Sequence, residues 1–271
     1  MGHINVIGVA SGKGGVGKTS ISVNLAVSLV RRGHKVMIFD ADLGLANAQI
    51  AMGCPTEYNL SHVLAGQKSL SEIAVTSQEG VRLIPGASGM QHMASLSIEE
   101  SAAIVRAFSS MREEIDYLIV DVAAGLSRSV VTFMQAVQRR FIVVKDEPSS
   151  IADAYGTIKV LARECALDEI YLIPNMVESQ AAGENLYRRL RDVCYKFLGK
   201  SVGYLHSVTF DENMINASRA YKSMLEYAPR GNSARDFMGL AQSLETLPPL
   251  TRVSGDIQFF VDRMVANRLG S

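Results

Sequence analysis

An excess of charge of either sign is missing from this chain of 271 residues, in which 27 lysines and arginines face 27 aspartates and glutamates. That balance excludes a strongly basic nucleic-acid binder and an acidic tail, so direct binding of nucleic acid is not expected. Cysteine is scarce too. Cys54, Cys165 and Cys194 are odd in number, far apart and in no C-x-x-C pair, which argues against a disulfide framework and a zinc site and for reduced thiols. No apolar run approaches the ~20 residues that span a bilayer. The N-terminus lacks the basic, apolar and cleavable regions of a secretory signal, and the expected setting is the cytoplasm. There is no internal repeat and no low-complexity tract. One composition break, from Pro248-Pro249 to Gly255, divides the chain into a main domain (1–247), a linker (248–255) and a terminal segment (256–271).

What is present is an alternation of β-rich runs and helical patterns. Strands are expected at Ile4–Ala10, Lys35–Phe39, Val81–Ile84, Tyr117–Val120, Phe141–Val144, Ile170–Pro174 and Val202–Leu205. Helices are expected at Thr19–Arg32, stopped by Gly33, and at Ile98–Arg112, about Ser150–Glu164, and Glu184–Phe197. The central runs are apolar throughout rather than alternating, as suits parallel strands covered on both faces. The expected fold is therefore α/β, a doubly wound, mostly parallel sheet with right-handed crossovers.

The strongest motif is Gly12-Lys13-Gly14-Gly15-Val16-Gly17-Lys18-Thr19. It fits G-x-x-x-x-G-K-[ST], follows an expected strand and opens an expected helix, the context in which such a loop binds phosphates. Its glycines let backbone N–H groups close on a polyphosphate, and the helix N-terminus adds partial positive charge. Lys18 should reach the β- and γ-phosphates, the Thr19 hydroxyl should ligate Mg²⁺, and Ser20 should lie near the α-phosphate. The implied cofactors are ATP or ADP with Mg²⁺. Two strands end in acid, Asp40-Ala41-Asp42 and Asp121, at the carboxyl edge where such sheets bind ligands. Asp121 reads as the carboxylate that holds Mg²⁺. Asp40 reads either as part of the metal shell or as a brace or helix cap.

The wording K-G-G-x-G-K-T resembles the signature-lysine loop of the MinD/ParA family of P-loop ATPases, a resemblance that runs over about residues 4–265. It implies that Lys13 crosses a homodimer interface to the partner's phosphates, acting as an arginine finger does. With Lys13 and Lys18, Asp42 completes the implied catalytic set, orienting the attacking water. Asp121 to Gly125 resembles the family's second switch, and Asn175 matches the residue that reads the adenine amino group. Phe210 and Asp211 fall in a loop that lies near the base in relatives. Four further stretches are similar to the flagellar-number regulators of that family: Asp40–Asn47, Ala87–Gln91, Asp146–Tyr155 and Phe259–Met264. That likeness implies an ATP-driven dimer that limits polar flagella by antagonising a σ54-dependent master activator, in concert with the flagellar-placement GTPase FlhF.

Ile257, Phe260, Val261, Met264 and Val265 fall on one helical face. By resemblance they form a membrane-targeting helix that docks back on the body without ATP, at the inner face of the cell membrane. Arg263 and Arg268 are offset by Asp256 and Asp262, so the anchor should be weak and need two copies. The rival readings are a DNA- or cargo-positioning ATPase of the ParA kind, for which Arg139-Arg140 and Arg188-Arg189 are the basic pairs available, and a MinD-like spatial regulator with another partner.

Overall fold

The apolar run that opens the sequence becomes β1 (Asn5–Ala10), and the glycine-rich stretch after it delivers the chain to α1 (Lys18–Arg31). The computed structural model describes residues 4–44, 46–87, 96–250 and 258–260. Helix α1 ends where expected, with Gly33 in the left-handed region at φ +93°. The chain continues through β2 (Val36–Ala41), three short helices α2 (Ala48–Ala51), α3 (Leu60–Leu64) and α4 (Leu70–Ile73), and a small antiparallel pair β3 (Val75–Thr76) and β4 (Arg82–Ile84). Next come α5 (Ile98–Ala107), β5 (Tyr117–Val122), α6 (Arg128–Ala136), β6 (Arg139–Val144), α7 (Pro148–Lys159), β7 (Ile170–Val177) and α8 (Gln180–Leu198). Two short strands, β8 (Gly203–Tyr204) and β9 (Val208–Thr209), and helices α9 (Asn213–Arg219), α10 (Met224–Tyr227) and α11 (Asn232–Glu245) follow.

The strands lie in the order β3-β4-β2-β5-β1-β6-β7-β8, with β9 also on β7, and every pair except β3–β4 is parallel. The fold is thus the doubly wound α/β sheet expected. One face carries a core that includes Phe39, Phe108 and Phe133, and the other a core that includes Ile21, Leu25 and Phe237. Because β5 lies between β1 and β2, the carboxyl ends of these three strands, with Gly12, Asp40 and Asp121, are side by side.

The basic pair Arg139-Arg140 is not surface. Both residues belong to β6 and are buried. Arg140 is fully enclosed, and its guanidinium donates to the carbonyls of Met134 (2.9 Å), Val137 (2.7 Å), Gln138 (3.2 Å) and Asp168 (2.9 Å). Burial lowers its pKa to about 10. Arg139 donates to Asn5 Oδ1 and to the carbonyl of Pro248. Arg188 and Arg189 are exposed but paired, with Glu184 and Asp146. A continuous basic stripe for a polyphosphate backbone is therefore not formed by these four residues.

Of the terminal face, Ile257, Val261, Met264 and Val265 lie outside the described residues. Phe260 is described and is buried beside Phe259; both rings pack on Phe108, at 5.7 and 5.0 Å between centroids. No helix among the described residues is long and apolar enough to cross a membrane.

The ends of α1 and α11 are tied by charge. Arg32 Nε donates to both oxygens of Glu245 at 2.9 Å, and His34 Nε2 lies 2.7 Å from Glu245 Oε1. Arg32 holds the Glu245 carboxyl below its ordinary 4.5. A lowered carboxylate adds stability above its unfolded pKa and loses it as the pH falls through the folded one. Glu245→Gln should therefore lower the melting temperature by about 1–3 °C at pH 7, the scale of one partly exposed pair. At pH 3 wild type and variant should melt together.

Candidate nucleotide site

The loop between β1 and α1 can bind phosphates only if nothing else fills it, and two glycines keep it compact. A Cβ on Gly12 would lie 2.3 Å from the carbonyl oxygen of Asp153 in α7, and one on Gly17 2.4 Å from Asn175 Nδ2. Gly17 also has φ +92° and starts α1 without a side-chain cap. The first amides of α1 are thus left for an anion rather than for a serine or aspartate. Lys18 is buried at the start of α1, whereas Lys13, Gly14 and Gly15 are exposed.

Lys13 does not point back into its own loop. Its Nζ donates to Ser149 Oγ at the start of α7, 3.0 Å away. Glu147 beside it is held below the usual carboxylate range, first by Lys145 and to a smaller degree by Lys13. Behind the loop, Ser11 Oγ donates to the Lys13 carbonyl (2.7 Å), and Gly125, at φ +87°, donates its N–H to the Ser11 carbonyl (2.9 Å). Gly125, four residues beyond Asp121, is thereby tied to the residue that leads into the phosphate loop.

The acids separate by role. Register pairs Asp40 on β2 with Asp121 on β5. Asp121 is fully buried. Its Oδ1 accepts from Ser22 Oγ at 3.0 Å, and Oδ2 has no hydrogen-bond partner. Burial raises its pKa to about 6, opposed by Thr19, Lys18 and Ser22. An orphaned buried carboxylate oxygen beside a hydroxyl and a phosphate loop fits Mg²⁺ that keeps most of its shell as water and phosphate. Asp40 sits differently: Oδ2 accepts the Ala48 N–H (2.8 Å) and Oδ1 the Asp42 N–H (3.2 Å). Burial, then Asp121, pushes its pKa well up. Of the expected metal set, the structure joins Thr19 and Asp121. Asp40 instead braces the 42–48 loop that carries Asp42, which is half-buried at the rim.

The residues expected on the base side make bonds of their own. Asn175, at the end of β7, is buried and donates from Nδ2 to the Val16 carbonyl at 2.7 Å, so it fastens the phosphate loop. Asp211 accepts from Asn213 and Ser233 and shapes the turn into α9. Phe210 is exposed, and with Lys145, Glu147, Met176 and Val177 it lines a cavity of about 400 Å³. Met176 stands in the left-handed region at φ +56°, where the β7–β9 pairing is irregular. Such strain in a non-glycine residue marks ligand sites more than frameworks. Ser22 and Met176 were not singled out by motif. Ser22 was within reach, because it lies three residues after Thr19 and so on its side of the helix.

The comparisons agree with this geometry. Residues 4–165 match the family model of an AAA domain. Over 265 residues the chain is 39% identical to the antiactivator FleN of Pseudomonas aeruginosa, covering 98% of this chain and 95% of FleN. It is 36% identical over 229 residues to the flagellum site-determining protein YlxH of Helicobacter pylori, covering 84% and 77%. Among solved structures, the cell division ATPase MinD of Pyrococcus furiosus aligns with a TM-score of 0.76 at 25% identity, covering 91% of this chain and all of MinD. MinD complexed with Mg-ADP from Pyrococcus horikoshii aligns with a TM-score of 0.75 at 24% identity, over 90% and 97%. The chain belongs to the MinD/ParA family of deviant Walker A ATPases, is similar within it to the antiactivator FleN, and takes ATP or ADP with Mg²⁺ as cofactors.

Proposed function

We propose that the chain is a slow, Mg²⁺-dependent ATP hydrolase whose ATP-bound form dimerises and sets flagellar number by restraining a σ54-dependent flagellar activator. The observation that carries this reading is Lys13, an exposed cation on the phosphate loop whose ammonium lies on the neighbouring α7 rather than in its own loop. Its place suits a reach into a second molecule. Leu126 just after Gly125, Met176 and Phe210 are exposed apolar side chains, the kind of surface a partner copy covers.

In this mechanism the loop amides and Lys18 hold the phosphates, and Lys13 of each chain supports the charge that builds on the nucleotide of the other. Thr19 and Asp121 would hold Mg²⁺ beside the loop, where it would supply positive charge against the phosphates. Asp42 orients the attacking water, with its backbone fixed by Asp40. The dimer then presents its surface to the activator and, by similarity, works alongside an FlhF-type GTPase. Phe260 belongs to a terminal segment proposed, with Ile257, Val261, Met264 and Val265, to reach the inner face of the membrane. The ATPase domain (1–247), linker (248–255) and terminal helix (256–271) are the working division of the chain, and its setting is the cytoplasm.

Light scattering tests the switch. With Mg²⁺ and ATP the wild type should double in mass, with ADP it should not, and Lys13→Ala should stay monomeric while still binding ATP. The ATP form alone should capture the purified activator. A wild type that stays monomeric with ATP bound and hydrolysed would remove the dimer switch and leave a P-loop ATPase of another use.

A further inference from the structure

Hydroxyls inside helices have a habitual partner, the carbonyl four residues back. Four such residues keep that habit here: Ser28 donates to Asn24, Ser101 to Ser97, Thr132 to Arg128 and Thr157 to Asp153, at 2.8–3.0 Å. Ser22 does not. It lies in the same helix as Ser28 and is fully buried, yet its Oγ donates to Asp121 Oδ1 on β5, 99 residues away in sequence.

The choice of oxygen matters. A carboxylate on a short side chain can turn about its last bond, and the two oxygens are equivalent until something distinguishes them. Ser22 engages Oδ1 and leaves Oδ2 as the oxygen with no protein partner. Asp40, paired with Asp121 by register, cannot fix that orientation, because its own oxygens accept the Asp42 and Ala48 amides.

We propose that Ser22 is a positioning residue for magnesium: its hydroxyl sets the rotation of the Asp121 carboxylate so that Oδ2 faces the cation's shell beside Thr19. The proposal rests on Asp121 being the magnesium-side carboxylate. Partners of metal-facing groups of this kind carry about 10–100-fold in metal affinity. Removing the hydroxyl should therefore weaken the response to Mg²⁺ and leave the loop's grip on the phosphates alone.

The test uses the full chain and a fluorescent ADP analogue, titrated with MgCl₂ from an EDTA-treated start. Ser22→Ala should raise the Mg²⁺ concentration at half-maximal response about 10-fold, with the metal-free nucleotide affinity unchanged. Ser22→Thr, which keeps the hydroxyl, should return the midpoint toward wild type. Asp121→Asn should shift it at least as far, and the double variant Ser22→Ala with Asp121→Asn no further than Asp121→Asn alone, since both act through one carboxylate. Melting curves in EDTA identify folded variants, and Ser22→Cys, of similar volume with a weak donor, replaces Ser22→Ala if the latter does not fold. A wild-type midpoint for Ser22→Ala beside a shifted Asp121→Asn would make Ser22 a packing residue and overturn the proposal alone. No shift for either would overturn the reading of Asp121 and the proposal with it.

Discussion

Arg140→Ala should cost the chain about 4 kcal/mol or more, a loss read as a fall in the urea midpoint and a melting temperature lower by ~10 °C or more. The guanidinium is fully enclosed and serves four carbonyls, three of them from the α6–β6 turn and its approach and one from the loop before β7. Helix α6 ends at Val137 without a backbone cap bond, so these oxygens have a guanidinium where a helix end would otherwise need amides. Alanine leaves them buried without donors, each at a cost of about 1–3 kcal/mol. Lysine is no remedy. It keeps the charge but offers one nitrogen where a planar fork spans several acceptors, so Arg140→Lys should also unfold early. The residue opens β6 at the end opposite the phosphate loop, so whatever protein remains folded should bind nucleotide as wild type does. Arg140→Lys melting with the wild type would show that charge alone suffices there.

Asp121→Asn should make the metal-free protein more stable and the nucleotide-bound state less so. Burial has pushed the Asp121 carboxyl up to about 6, with Asp40 opposite it on the next strand. A carboxyl raised on folding is penalised in its charged form. That penalty is absent at pH 4, grows as the pH rises toward 6, and is complete above it. Asparagine removes the charge and keeps an oxygen for the Ser22 hydroxyl. In EDTA the variant should melt a few degrees above wild type at pH 7.5 and level with it at pH 4. With Mg²⁺ and nucleotide the order should reverse, since the wild type alone gains the full linkage from binding. Equal melting of the two proteins in EDTA at both pH values would show that the buried charge carries no cost.

The parts of this site visible in the sequence are those whose chemistry and local geometry coincide. A strand, a glycine-rich turn and a helix start are contiguous, so Gly12 to Thr19 could be read in one stretch. The strands that carry the chain to Asp42 and Asp121 are legible because they are apolar on both faces. The start of β6 was not, because Arg139 and Arg140 look like surface until the carbonyls that receive them are known. Asn175 was legible as a site residue, but its bond to Val16 spans 159 positions of sequence and follows only from how β7 lies beside the loop. Helix α11 carries Phe237, Leu240, Ala241 and Leu244 on one face, a spacing the sequence does display. The seven-residue α9 and four-residue α10 carry too few turns for periodicity to show. Ser22 is legible as a neighbour of Thr19 on the helix, but nothing in a serine announces which of two acceptors it will take.

Arg139 reaches Asn5 with one nitrogen and the carbonyl of Pro248 with the other. One side chain thus holds, within its own width, the entrance to the first strand and the exit from the last helix. Both lie at the amino edge of the sheet, away from the phosphate loop at the carboxyl end of β1. A circular permutant closed at that edge would leave the nucleotide edge untouched, provided that its linker carried Phe259 and Phe260, whose rings fill the core against Phe108. A reporter joined there would hang from the back of the domain, clear of the face by which two copies would meet.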